Sequence, residues 1–199
     1  MSKQAQTLSL QQALDLALQH HTAGRLSDAE TIYQQILQTD PDHPIAMHLL
    51  GVIAHQTGEN DLAVDRITRA LAINPEYAEA HNNLGAALQD LGKLDEAIAS
   101  YHKALALNPD YPEAHNNLGN ALKDQGKQEE AVASYGKALA LNPDYAAAHN
   151  NLGKALLELG QHKKGLEHLQ KGIGVIHFRN NEQNPYFTIL GGTMTGANR

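Results

Sequence analysis

Apolar residues recur along this chain in pairs of helical stripes separated by glycine. His81, Leu84, Gly85 and Leu88 fall at i, i+3, i+4 and i+7, the stripe of an amphipathic helix. Gly92 interrupts it, and Leu94, Ala97, Ile98, Tyr101 and Leu105 form a second stripe. Asn74-Pro75 and Asn108-Pro109 end the second helix of one pair and lead into the next, because the residue before proline is pushed out of the helical region. The pattern is periodic: HNNLG stands at 81–85, 115–119 and 149–153, each copy 34 residues after the last (81 + 34 = 115, 115 + 34 = 149). A period of that length marks a supersecondary unit that buries its apolar face only against its neighbours. The small residues repeat as strictly as the large ones. Gly85, Ala97 and Ala104 return as Gly119, Ala131 and Ala138, where bulk would spread two helices that must approach to about 8–10 Å.

These positions resemble the tetratricopeptide repeat family, whose pattern sets Leu-Gly, a turn Gly, Ala, an aromatic, Ala and Pro at fixed offsets. Two copies match with Leu84-Gly85, Gly92, Ala97, Tyr101, Ala104, Pro109 and with Leu118-Gly119, Gly126, Ala131, Tyr135, Ala138, Pro143. Aligning outward gives a lead-in at 1–9, units at 10–43, 44–77, 78–111, 112–145 and 146–179, and a tail at 180–199. The unit at 44–77 keeps Leu50-Gly51, Gly58, Ala63, Ala70 and Pro75, and the unit at 10–43 keeps Gly24, Ala29, Tyr33 and Pro41. The unit at 146–179 keeps Leu152-Gly153 and Gly160 but carries Gly165 and Gly172 where Ala is expected, which predicts a capping unit with a frayed or short last helix. The resemblance implies an all-α, right-handed helical solenoid of about five helix-turn-helix units. Beyond it, GVIHF and YFTIL flank a turn-rich stretch and read either as a small hairpin or as a loose tail.

An α-helix turns about 100° per residue, so Glu79, Asn82, Ala86 and Asp90 point away from the packed stripe, with Asn83 at the edge. In the family that outer face of the first helices lines a concave peptide groove. The lining predicted here is graded. The first two units contribute Leu14, Leu18, Ile45, Leu49 and Val52, with His48 and His55, and the later three contribute Asn82, Asn83, Asn116, Asn117, Asn120, Asn150, Asn151 and Lys154. An amide offers both donor and acceptor, so a ladder of them suits the backbone of an extended peptide, and the apolar end suits one or two hydrophobic anchors. The Asn83, Asn117, Asn151 ladder is similar to that of the tetratricopeptide portion of O-linked N-acetylglucosamine transferase-like proteins. The bland alternative is that these amides are solvated consensus positions. The basic clamp of chaperone-binding repeats is not matched, since Leu14, Leu18, Glu79 and Asn83 stand in its places.

Composition narrows the chemistry. The chain has 199 residues, 42% hydrophobic, with two Phe and no Trp, and it suits one helical domain. A formal charge of −7 argues against nucleic acid, whose binding rests on basic clusters. With no Cys there is no disulfide or thiolate metal site. The opening residues lack an apolar signal core and no apolar run reaches the roughly 20 residues of a membrane span, so the expectation is a cytoplasmic protein without membrane insertion. His81, His115 and His149 share one repeat position, and helices stacked about 10 Å apart cannot bring such residues onto one metal, so they read as packing groups. His20, His21, His162 and His168 read as surface residues. No nucleophile elbow or phosphate loop is present, and Glu129-Glu130 is a solvated pair. The expectation is therefore a protein without catalytic residues, metal or cofactor, serving as a protein–protein interaction scaffold or adaptor for an extended peptide segment. The alternatives are a homo-oligomerising assembly protein, joined through the apolar lining or the IGVIHF and YFTIL segments, and a substrate-recruiting partner subunit of a glycosyltransferase or methyltransferase.

Overall fold

The sequence period reappears in where helices begin. The computed structural model describes residues 9–173, and the predicted hairpin or tail segments lie outside that range, as do residues 1–8. Helix pairs follow one another as α1 (Leu10–Thr22) with α2 (Leu26–Thr39), α3 (Pro44–Gln56) with α4 (Asn60–Ile73), α5 (Ala78–Asp90) with α6 (Leu94–Leu107), α7 (Pro112–Asp124) with α8 (Gln128–Leu141), and α9 (Ala146–Glu158) with α10 (His162–Ile173). Among the described residues there are no strands, and the fold is all-α, of the helical-solenoid class. No described helix is long and apolar enough to cross a membrane. The chain divides into two units, residues 1–109 with α1 to α6 and residues 110–199 with α7 to α10.

Local chemistry sets the helix ends. Ser9 caps α1 reciprocally: its Oγ accepts from the Gln12 amide at 3.2 Å while the Gln12 side chain accepts from the Ser9 amide at 2.9 Å. Pro44 and Pro112 occupy the first turn of α3 and α7, where no intrahelical donor is needed. The turn between α5 and α6 needs a left-handed residue, and Gly92 supplies it with φ +72. The Gly92 and Lys93 amides then close back onto the carbonyls of Gln89 and Leu88 at 2.8 and 2.9 Å, which satisfies both of those acceptors at the end of α5.

The core of each pair is a large side chain set against a glycine. The largest fully buried side chains are Tyr33, Ile67, Tyr101, Tyr135 and Leu169, which share one position of the repeat. A methyl group on Gly85 would sit 2.7 Å from Tyr101 Cε1, and one on Gly119 would sit 2.5 Å from Tyr135 Cε1. Only the missing Cβ lets the ring lie across the facing helix. Ala97, Ala104, Ala131 and Ala138 are fully buried at the same contacts, as their small size requires. In the first unit each helix packs on its neighbours in sequence, and Leu14, Ala17, Tyr33, Ile36, Leu50 and Ile53 join α1, α2 and α3 in one apolar cluster. In the second unit α8 packs on both α7 and α9, and α10 closes on α9.

In the last helix, described as far as Ile173 at the edge of the described residues, the glycines are contacts rather than gaps, and the expected frayed or short end lies outside that range. A Cβ on Gly165 would meet the Gly153 carbonyl at 2.9 Å, and one on Gly172 would meet the Asn150 amide nitrogen at 2.7 Å. The glycines that lower helix propensity here allow α10 to lie against the α9 backbone.

Candidate functional site

Within each unit the first helices of successive pairs lie side by side, and polar bonds stitch them. His48 Nε2 on α3 meets the Asn83 amide nitrogen on α5 at 2.9 Å, and His55 Nε2 meets Asp90 Oδ2 at 2.8 Å. His21 Nε2 on α1 meets Gln56 Oε1 on α3 at 3.0 Å. In the second unit the Asn151 amide nitrogen donates to Asn116 Oδ1 at 3.0 Å and to Asn120 Oδ1 at 3.0 Å. The first four of these rungs all join residues 35 apart, one repeat plus one position, because the neighbouring helix is offset by one residue at the line of closest approach.

The rungs decide which expected lining residues face outward. Leu14, His48, Asn82 and Asn116 share one repeat position and are all buried, at 6%, 2%, 6% and 4% exposure. Helix spacing alone predicts Leu14, Asn82 and Asn116 on the open lining. Instead Leu14 packs with Tyr33, Ile36 and Leu50 in the core, and Asn116 sits in the seam where it accepts from Asn151. Asn150, in the same column, is half-buried, and its Oδ1 is enclosed with no hydrogen-bond partner. One position further on, Leu49, Asn83, Asn117 and Asn151 are half-buried. Val52 and Asn120 are half-buried, whereas Leu18, Ile45 and Lys154 are exposed. Of the expected lining, the exposed or half-buried residues on α1 and α3 are Leu18, Ile45, Leu49 and Val52, with His55, and those on α7 and α9 are amides and Lys154.

The buried polar groups are tuned by their surroundings. An amide nitrogen only donates, so His48 receives the Asn83 hydrogen at Nε2 and carries its own on Nδ1, which donates to the Tyr77 hydroxyl at 3.0 Å. Burial, with a smaller contribution from the charge on His21, pushes the His48 pKa down to about 4, so the ring stays neutral. Tyr135 donates its hydroxyl hydrogen to Asn120 Oδ1 at 2.8 Å. Burial, together with the carboxylates of Asp124 and Glu158, pushes that phenol up, so it remains a donor. Asn120 Oδ1 therefore accepts twice, from Tyr135 and Asn151, and the Asn120 amide nitrogen is left for an outside acceptor. Asn151 is the complement: both its hydrogens are directed at Asn116 and Asn120, and its Oδ1 is left to accept.

The histidine column behaves as a set of struts. His81 Nε2 donates to the Pro75 carbonyl at 2.9 Å and His149 Nε2 to the Pro143 carbonyl at 2.8 Å, tying each first helix to the loop that enters it. His168, expected at the surface, is half-buried and pairs its Nδ1 with His149 Nδ1 at 2.8 Å. His20 likewise meets Asp28 Oδ2 at 3.1 Å. Among the described residues no group of three or more His, Cys, Asp or Glu is placed to hold a metal ion. The bonding partners Tyr77 and Gln56 carry no signal in the spacing, and the 34-residue period alone does not show the one-residue offset that pairs His48 with Asn83.

Comparison with known proteins agrees with the geometry. Residues 87–126 and 119–160 match a family described as TPR repeat, and residues 20–88 and 146–175 match families described as Tetratricopeptide repeat. The search of curated proteins finds no match. Among solved structures, TTC0263, a thermophilic TPR protein of Thermus thermophilus, is 25% identical over 83% of this chain and 90% of its own, with a TM-score of 0.72. PilF of Pseudomonas aeruginosa is 22% identical over 82% of this chain and 74% of its own, with a TM-score of 0.76. YrrB, a TPR protein described as having an unusual peptide-binding site, is 24% identical over 83% of this chain and 85% of its own, with a TM-score of 0.64.

Proposed function

Since the chain belongs to the tetratricopeptide repeat family, a builder of protein-interaction scaffolds, we propose that it is a non-catalytic cytoplasmic adaptor that binds an extended segment of another protein on the outer faces of its first helices. The observation that carries this reading is the pairing of Asn120 and Asn151. One side chain keeps a donor and its neighbour keeps an acceptor, the complement of a peptide's carbonyl and amide. On α1 and α3 the exposed Leu18 and Ile45, with the half-buried Leu49 and Val52, supply aliphatic anchors. The rungs hold these groups before a partner arrives, so less ordering accompanies binding. YrrB, with its peptide-binding site, is in keeping with this use of the fold.

The test is differential capture. Immobilised full-length protein is compared with Ile45→Glu and Asn120→Lys variants, and retained proteins are identified by mass spectrometry. The reading expects proteins retained by the wild type and lost from the variant whose unit holds them. An unchanged set would refute it.

Self-association has one observation in its favour. Leu10, Ala13, Leu16, Ile32 and Ile36 line an open groove of about 360 Å³ on the α1/α2 pair. One period on, Met47 and Leu50 take the places of Ala13 and Leu16 (13 + 34 = 47, 16 + 34 = 50), beside Leu37 of α2. A second copy could cover the earlier face in the same manner. Light scattering on the wild type and on Leu16→Glu separates the readings: a dimer abolished by the substitution favours assembly, and a monomer in both counts against it.

A further inference from the structure

A second cleft of the first unit lies apart from the first-helix face. It opens between α2 and α4, about 340 Å³ in volume, with Leu37, Met47 and Leu50 as an apolar floor and Arg66 and Arg69 on one side. Two of its lining residues depart from the repeat and give the cleft its chemistry. Where Met47 stands, the later repeats carry His81 and His149 (47 + 34 = 81, 47 + 102 = 149), whose Nε2 atoms reach the carbonyls of Pro75 and Pro143 at 2.9 and 2.8 Å. The thioether of Met47 has no hydrogen to give the matching Pro41 carbonyl. Where Arg66 stands, the next repeats carry Ser100 and Ser134, buried and turned onto their own helices through Glu96 and Glu130 carbonyls at 2.9 and 3.0 Å. A histidine and a serine bring neither an apolar floor nor a guanidinium. A methionine and an arginine bring both.

The arginines are incompletely used. Arg66 Nη1 donates to the Leu50 carbonyl at 3.1 Å, which fixes the guanidinium at the rim, but its nearest carboxylate, Glu30, is 3.9 Å away. Arg69 reaches only Asp65, also at 3.9 Å, and is 65% exposed. At that separation neither carboxylate makes a hydrogen bond, and so exposed a pair adds little. In a chain of formal charge −7 with five arginines, two stand at this one cleft. A fork of guanidinium donors matches carboxylates in a way lysine does not, and the floor beneath has room for one aliphatic side chain.

We propose that this cleft between α2 and α4 binds an acidic segment of another protein that carries one apolar side chain flanked by carboxylates. The apolar side chain rests on Met47 and Leu50, and the flanking carboxylates displace Glu30 and Asp65 as partners of Arg66 and Arg69. The site is separate from the first-helix face, so one partner could occupy either without the other.

The probe is a fluorescently labelled peptide Glu-Glu-Leu-Glu-Glu with blocked ends, titrated with the full chain at low salt and followed by anisotropy. Expected is saturable binding that weakens at least tenfold with Met47→His, several-fold with Arg69→Gln, and several-fold on raising salt from 50 to 200 mM. Ile45→Glu should leave it unchanged. The Gln-Gln-Leu-Gln-Gln and Glu-Glu-Gly-Glu-Glu peptides should each bind at least tenfold more weakly. Met47→His installs the side chain that three later repeats already hold, and an unchanged thermal midpoint would show that lost binding is not lost folding; if that variant unfolds, Arg69→Gln at an exposed position decides alone. No binding by the wild type, equal binding of the glutamine peptide, or loss through Ile45→Glu rather than Met47→His would each overturn the proposal, and none of these outcomes bears on partner capture by the first-helix faces.

Discussion

The side-chain amide of Asn83 donates to Nε2 of His48, one helix away and 35 residues earlier, at 2.9 Å. A residue expected to meet a ligand thus also joins two repeats. The same double duty falls on Asn151, which donates to Asn116 and Asn120. Replacing Asn83 by Ala removes the donor and leaves His48, 2% exposed, with a bare ring nitrogen. The expected cost is about 1–3 kcal/mol in urea unfolding, the usual consequence of stranding a buried acceptor. A solvated, passive Asn83 would cost almost nothing.

Acid should loosen the first unit through His48. In the unfolded chain this residue titrates at the ordinary 6.5, and in the fold its pKa is pushed down to about 4. Between those values the unfolded chain holds more protons, so this contribution is fully present above 6.5 and is lost as the pH falls toward 4. The shift corresponds to on the order of 3 kcal/mol. Burial, with His149 and Lys171 nearby, also lowers the His168 pKa, with the same sign in the second unit. Unfolding free energies at pH 7, 5.5 and 4.5 should fall less steeply in His48→Asn than in the wild type. Parallel curves would remove His48 as a cause.

Gly85→Ala should destabilise by about 1–3 kcal/mol, because the added methyl meets the Tyr101 ring at 2.7 Å and the ring has nowhere to go. Once Tyr101→Ala has taken the ring away, the same added methyl should cost much less than it does beside the ring. A double-mutant cycle of thermal unfolding reads the coupling, and simple additivity would contradict the contact.

On the outer face the pattern reverses. Ile45 is 37% exposed and makes no core contact that needs it, so Ile45→Glu should shift stability by less than about 0.5 kcal/mol. Its effect should appear in partner retention alone, compared by capture against the wild type. A large fall in thermal midpoint would show that Ile45 belongs to the core.

The helices and their core were legible because they rest on period and size. The recurrence of Gly85, Ala97 and Ala104 as Gly119, Ala131 and Ala138 marked where two helices approach, and the rings of Tyr101 and Tyr135 lie across those glycines. The candidate site was legible only in part. Spacing along one helix gave its outward side but not the offset between neighbouring helices, and that offset turned Leu14, Asn82 and Asn116 inward while leaving Leu18 and Ile45 out. At α10 propensity gave no sign that Gly165 and Gly172 serve a close approach, which only three-dimensional packing reveals.

The central claim is that first helices receive the partner. Its most direct test is an NMR titration of the full chain with the segment of a captured protein, following the Asn120 and Asn151 side-chain amides and the methyl groups of Leu18, Ile45 and Val52. The account predicts saturable shifts at these groups, with Tyr33 and Ile67 in the cores unmoved. Shifts confined to the second helices, or no shift at a concentration that saturates capture, would contradict it.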